Sequence, residues 1–207
     1  MKASALAAVA LLAGGCTGAP GPVVPRPTAS LDRTEALLVP SGHGSLLQDE
    51  ITLTIRSGLV QLKVTPLEEW VLRLTAPDTW SRLSALAAVH RVGVERETGI
   101  QDAPLFLVSF FSDTPGAAFN PQDVQVENRG RRQRPTAIRP LTAGWGEERL
   151  RQQEPQLAVY AFSEAVDLEQ PFLVYYGAEV DAGWEEILRK LEAERERARA
   201  RAGVGGR

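Results

Sequence analysis

Glu50-Ile51-Thr52-Leu53-Thr54-Ile55-Arg56-Ser57-Gly58-Leu59-Val60-Gln61-Leu62-Lys63-Val64 is the stretch that decides the fold class of this chain. Polar and apolar residues alternate up to Arg56, and a second alternating run ends at Val64. Successive side chains of a strand point to opposite faces, so a period of two means a strand with one face buried. Ser57-Gly58 separates the runs as a two-residue turn signal, and the two strands read as a β-hairpin.

The same period recurs outward from the hairpin. Trp70-Val71-Leu72-Arg73-Leu74 reads as a further strand. Pro104-Leu105-Phe106-Leu107-Val108-Ser109-Phe110-Phe111 is apolar on both faces, as a strand in the middle of a sheet must be. Asp123-Val124-Gln125-Val126-Glu127 alternates, and Asn128-Arg129-Gly130 turns the chain. Ala137-Ile138-Arg139-Pro140-Leu141 is a weaker strand, sent to an edge by its proline. Runs at 156–162 and 171–176 read as the last two strands. Helical spacing appears at Trp80, Leu83, Leu86, Ala87 and His90, after Pro77-Asp78-Thr79, and predicts a helix over 78–91. A short helix is expected over 147–153. Short strands with Gly, Pro and Asn turns between them, and no internal repeat, predict a mainly β fold. The expectation is an immunoglobulin-like β-sandwich of about seven or eight strands with an inserted helix.

The C-terminus has another pattern. Trp184, Ile187, Leu188 and Leu191 form one apolar stripe at helical spacing. Beyond Leu191 the residues are mostly Glu, Arg and Ala, with Glu–Arg pairs three apart. This predicts a charged C-terminal helix within 181–207, two turns docked and the rest projecting into solvent.

At the other end, Met1-Lys2 precedes an apolar run over 3–13 interrupted only by Ser4, then Gly14-Gly15-Cys16. One basic residue, a short apolar run and small residues are the grammar of a secretory signal peptide. The run is too short to cross a bilayer, which takes roughly 20 apolar residues. Leu12-Ala13-Gly14-Gly15-Cys16 resembles the lipobox of bacterial lipoproteins. The resemblance covers residues 1–16 and implies a function in the cell envelope. Residues 1–15 would be removed and Cys16 would carry lipid, holding an exported chain to a membrane. Thr17 rather than Asp follows, which in that family goes with the outer membrane, facing the periplasm, in a cell with two membranes. Residues 16–32 are rich in Pro and Gly and read as a lipidated tether. In polyproline-like form, at ~3.1 Å per residue, its Thr17–Ser30 stretch would hold the domain up to about 40 Å from the lipid. The expected layout is therefore a signal at 1–15, a tether at 16–32, a β-sandwich at 33–180 and a charged helix at 181–207.

Several chemistries are excluded or weak. Cys16 is the only cysteine, so a chain lipidated there has no disulfide and no thiolate site. The net charge of -3 is too mild to predict a nucleic-acid partner. Ser41-Gly42-His43-Gly44-Ser45 invites a hydrolase reading with His43 as base, but it lacks the strand–turn–helix setting of a nucleophile elbow. Two histidines, His43 and His90, cannot form a histidine-rich zinc site. Glu68, Glu69, Asp102 and Asp113 are possible oxygen donors, better read as solvated carboxylates. No catalytic constellation and no cofactor motif is read. The densest charge cluster is Arg129, Arg131, Arg132 and Arg134, in an expected loop. It is either a partner-binding anion site, for a lipid headgroup, a polysaccharide phosphate or an acidic protein face, or a solvated turn. The expectation is a membrane-anchored envelope lipoprotein, non-catalytic, with an envelope protein or polysaccharide as partner. The alternative is a small-ligand or polysaccharide-binding module with Trp70, Trp80 or Trp145 as stacking platform. A hydrolase comes last.

Overall fold

The computed structural model describes residues 39–163 and 166–204. The signal segment, Cys16 and the tether lie outside the described residues. The elements are β1 (Leu53–Ser57), β2 (Val60–Pro66), α1 (Glu69–Leu72), α2 (Pro77–Thr98), β3 (Leu105–Phe111), β4 (Val124–Asn128), β5 (Arg131–Gln133), β6 (Ala137–Pro140), β7 (Gln156–Ala161), β8 (Phe172–Tyr176), β9 (Glu179–Asp181) and α3 (Trp184–Val204). They form two antiparallel sheets, ordered β1-β2-β3-β7-β6 and β5-β4-β8-β9. The fold is the β-sandwich that the alternation predicts. The order β2-β3-β7-β6 is that of strands A, B, E and D of an immunoglobulin sandwich, and β5-β4-β8-β9 that of C′, C, F and G. β1 is an added edge strand, and α2 is inserted between the A and B positions.

The hairpin holds its register as Leu53↔Val64 and Ile55↔Leu62, all four side chains buried, while Thr54 and Arg56 face solvent. A slip of one residue would exchange the two faces, so burial fixes the register. β3 is the central strand of its sheet and β6 its edge, both as expected. The inner faces meet through rings. Phe106 on β3 stands edge-on to Phe172 on β8 at 6.1 Å, and to Phe162 at 5.4 Å. Phe110 meets Tyr176 at 5.5 Å, and Trp145 closes on Phe110 and Phe119. This β3–β8 contact is where antibody domains carry their inter-sheet disulfide.

These pairs also set the directions of the strands. One end of the sandwich, the turn end, carries Gly58-Leu59, the 112–123 and 141–155 connections and Gly177-Ala178. The opposite end, the helix end, carries α1 and the start of α2, the Arg129-Gly130 turn and the start of α3. Val39 lies at the helix end, where its carbonyl accepts from Arg73.

Several sequence expectations are corrected. Residues 70–74 are not a strand: Trp70, Val71 and Leu72 are all buried, and α1 satisfies its amides locally, Val71 and Leu72 both donating to Glu68 O. Residues 147–153 are not a helix, because Glu148 and Gln153 both adopt positive φ. Only a 3-10 turn, Ala143–Glu147, precedes them. β9 follows the strand expected to be last; three residues are too short for a visible alternation. β5 occupies part of the expected arginine loop, and the hairpin turn is Gly58-Leu59, one residue later than read. α2 runs seven residues past the expected end because Gly93, tolerated where Arg139 packs, does not break it; Gly99, with φ +71, does.

The largest correction concerns α3. Its far half does not project into solvent, since Glu194 and Ala198 are fully buried. Glu194 accepts from the backbone N–H and the hydroxyl of Ser45, both at 2.8 Å, and from Arg201. Arg197 Nε lies 3.0 Å from its other oxygen, and Arg201 Nε donates to His43 O at 2.8 Å. Leu46 in turn bonds Leu74 O and Ala76 N, so α3 clasps the incoming chain against the domain. Gly44 is required there, because a Cβ would lie 2.1 Å from the Leu74 backbone.

Two stability outcomes follow from this packing. Phe106→Ala should lower the unfolding free energy by about 3–5 kcal/mol in urea titration, whereas Val89→Ala, at a position 73% exposed, should change it by less than about 0.5 kcal/mol. Glu194→Ala should cost about 2–4 kcal/mol, by loss of a buried, multiply bonded carboxylate. It should also raise hydrogen exchange at the Ser45 amide before the sheets open.

Candidate functional site

The arginine cluster is a hairpin turn and an edge strand. Arg129 and Gly130 both have positive φ, 53° and 72°, the signature of a two-residue turn twisted to match its strands. A non-glycine residue there is strained and needs support. Asn128, buried, supplies it: its amide donates to the carbonyls of Asp167 and Pro171, and its oxygen accepts from Asp167 N. The turn is thereby stapled to the β7–β8 connection. Arg129 then pairs with Asp167 at 2.5 Å.

Alternation separates the other arginines. Arg132 lies on the outer face of the β5-β4-β8-β9 sheet, 3.5 Å over the ring of Tyr175, with Glu127 3.6 Å from its Nε. The Tyr175 hydroxyl donates to the same Glu127 oxygen. Arg131 and Arg134 are exposed, and among the described residues no acid pairs with either. Thus Arg129 and Arg132 are held in fixed poses, and Arg131 and Arg134 offer free guanidinium forks, each suited to bidentate binding of a carboxylate or phosphate.

Beside the turn opens a cavity of about 360 Å³, with Arg129, Trp70 and Gln101 in its wall. Its other charged groups are acidic: Glu68, Asp102, Asp167 and Glu169. Arg91 stands behind two of them, 3.7 Å from Glu68 and 3.9 Å from Asp102. The turn therefore has two unlike sides, an acidic recess and a basic edge strand. Asp167 and Glu169 were invisible to sequence reasoning, because the loop that brings them here has no periodicity. Asn128 was legible as a turn residue, but its role as a staple was not.

The other sequence candidates are dispersed. Glu69 is occupied by Arg73, Trp80 and Ser84, and Asp113 is at the turn end. Among the described residues no three His, Cys, Asp or Glu side chains cluster as metal ligands. Ser45 gives its hydroxyl to Glu194, and His43 takes part through its carbonyl. No hydrogen bond among the described residues joins the His43 ring to a serine. Burial, then Arg139, lowers the pKa of His90. Trp70 and Trp145 belong to the core, and Trp80 is half-buried with its N–H on Glu69. These three do not form an exposed stacking platform.

No family model, no curated protein and no solved structure matches this chain. Among the described residues no helix is long and apolar enough to cross a membrane.

Two phenols brace the turn end. Tyr160 donates to Pro121 O at 2.9 Å, and the Tyr176 hydroxyl accepts from Asn120 N at 3.1 Å. Burial pushes both pKa values up, for Tyr160 with help from Tyr176, and for Tyr176 against the Asn120 bond. Raised folded-state values mean that folding favours the protonated phenols. Their contribution is whole below the unfolded value near 10 and is lost as pH rises above it. Urea titrations should show stability falling above about pH 10, and falling less steeply in Tyr160→Phe.

Proposed function

We propose that the chain is a lipid-anchored envelope lipoprotein whose sandwich is a non-catalytic interaction module. The lipobox resemblance at Cys16 supports the anchor, and the Pro/Gly-rich residues that follow support a tether. The observation that carries the module reading is topological. Val39, the first described residue, and the α3 clasp share the helix end, whereas the turn end consists of loops. A lipid on Cys16 would therefore draw the helix end toward the membrane. It would leave to a partner the turn end and the side of the sandwich along β5, which starts at the helix end with the Arg129-Gly130 turn. Arg131 and Arg134 on that flank, with Arg129 and Arg132 beside them, fit an acidic protein face or a phosphate-bearing polysaccharide. The outer membrane, on its periplasmic side, is the site this reading favours.

The test has two arms. Cys16→Ser should move the protein from the membrane fraction to the soluble fraction of the cell; continued sedimentation with membranes would refute the anchor. In-cell crosslinking of the anchored protein should yield partners that are lost on Arg131→Ala/Arg134→Ala. An unchanged set of partners would remove the arginine flank from the reading.

A further inference from the structure

Charge along α3 is polarised. Residues 184–194 hold four acids and two bases, and residues 195–204 hold four arginines and one acid. Acids near the start and bases near the end of a helix complement its dipole, but that effect is confined to the terminal turns. Here the arginines begin at position 195, nearly three turns before the helix ends at Val204.

The geometry keeps much of this charge at the surface. Glu194 is the acid that Arg197 and Arg201 share, and it is wholly buried while their side chains are 61% and 42% exposed. One carboxylate cannot neutralise two guanidiniums, so the clasp carries net positive charge outward. Arg199 is paired with Glu196 at 3.3 Å, so residues 194–204 carry a net charge of +2, four arginines against Glu194 and Glu196. The clasp also fixes where this charge lies. Ser45 and His43, its partners, are within six residues of Val39, from which the chain leads back to Cys16. Only 22 residues separate Cys16 from Val39, a span of at most about 80 Å even fully extended.

We infer that the arginine end of α3 is a contact surface for anionic phospholipid headgroups, a second membrane attachment beside the lipid. The inference rests on the anchored reading above, which supplies the bilayer. Basic groups near an anionic surface are attracted over about one Debye length, roughly 8–10 Å in physiological salt. Such an attachment would hold the helix end down and orient the sandwich on the membrane.

The experiment uses the mature chain, residues 16–207 with Cys16→Ser, so no arm depends on lipidation or on the apolar signal. Co-sedimentation should show binding to vesicles of equal parts phosphatidylglycerol and phosphatidylcholine, weak binding to phosphatidylcholine alone, and release by added salt. Arg197→Gln/Arg199→Gln, which leaves Arg201 on Glu194, should weaken binding roughly thirtyfold, at about fivefold per arginine. Arg149→Gln/Arg151→Gln, at the turn end, should bind as the parent does. Equal binding to both vesicle types, or binding insensitive to salt, overturns the inference without reference to any arginine variant. Equal losses in the two double variants also overturn it. Failure of the anchor is read separately, from cell fractionation.

Discussion

The contact of Phe106 on β3 with Phe172 on β8 is what the rest of the molecule depends on. It joins the central strand of one sheet to a central strand of the other, at the place where a related architecture uses a covalent bond. This chain has no second cysteine, so closure rests on packing alone. The rings supply large apolar areas and a preferred edge-to-face geometry. Phe110, Tyr176, Phe119 and Trp145 extend the same contact toward the turn end. Once the sheets are fixed in this way, both the arginine turn and the seat of α3 are fixed with them.

Two polar devices then finish the helix end. Asn128 ties a strained turn to the β7–β8 connection, and Glu194 ties α3 to the incoming chain. Each buries a polar group whose partners lie far away in sequence, 39 residues for Asn128 and Asp167, and 149 for Glu194 and Ser45. Buried polar groups are tolerated only when bonded, so both devices commit distant segments to one arrangement. On the anchored reading proposed above, the consequence for function is orientation. The end that receives the chain from Cys16 is tied down and basic along α3, and the other end is left to loops.

The arginine cluster shows how context divides what sequence groups together. Four arginines within six positions read as one site. Pairing of β4 with β5 sends Arg132 to the outer face, onto Tyr175, while the turn gives Arg129 to Asp167. Among the described residues of the cluster, Arg131 and Arg134 are left without an acidic pair, on a flank whose neighbouring recess is acidic.

The strand period by itself determined the sandwich and the central position of β3, because burial on one or both faces writes itself into alternation. Pro140 determined the edge position of β6, because proline cannot donate to a ladder. Periodicity determined the existence of α2 and α3 for the same reason as the strands, at period 3.6. The N-terminal segment, through its lipobox resemblance, supplied the expectation of an anchor at Cys16. Periodicity could not show that residues 70–74 form a helical turn, since a wholly buried run has no period to read. Nor could it show that α3 docks along its length: Glu194 and Arg195 look like solvated charges until Ser45 arrives from the other end of the chain. Only the tertiary structure decided those points, because a charge is buried or exposed according to which distant donors meet it.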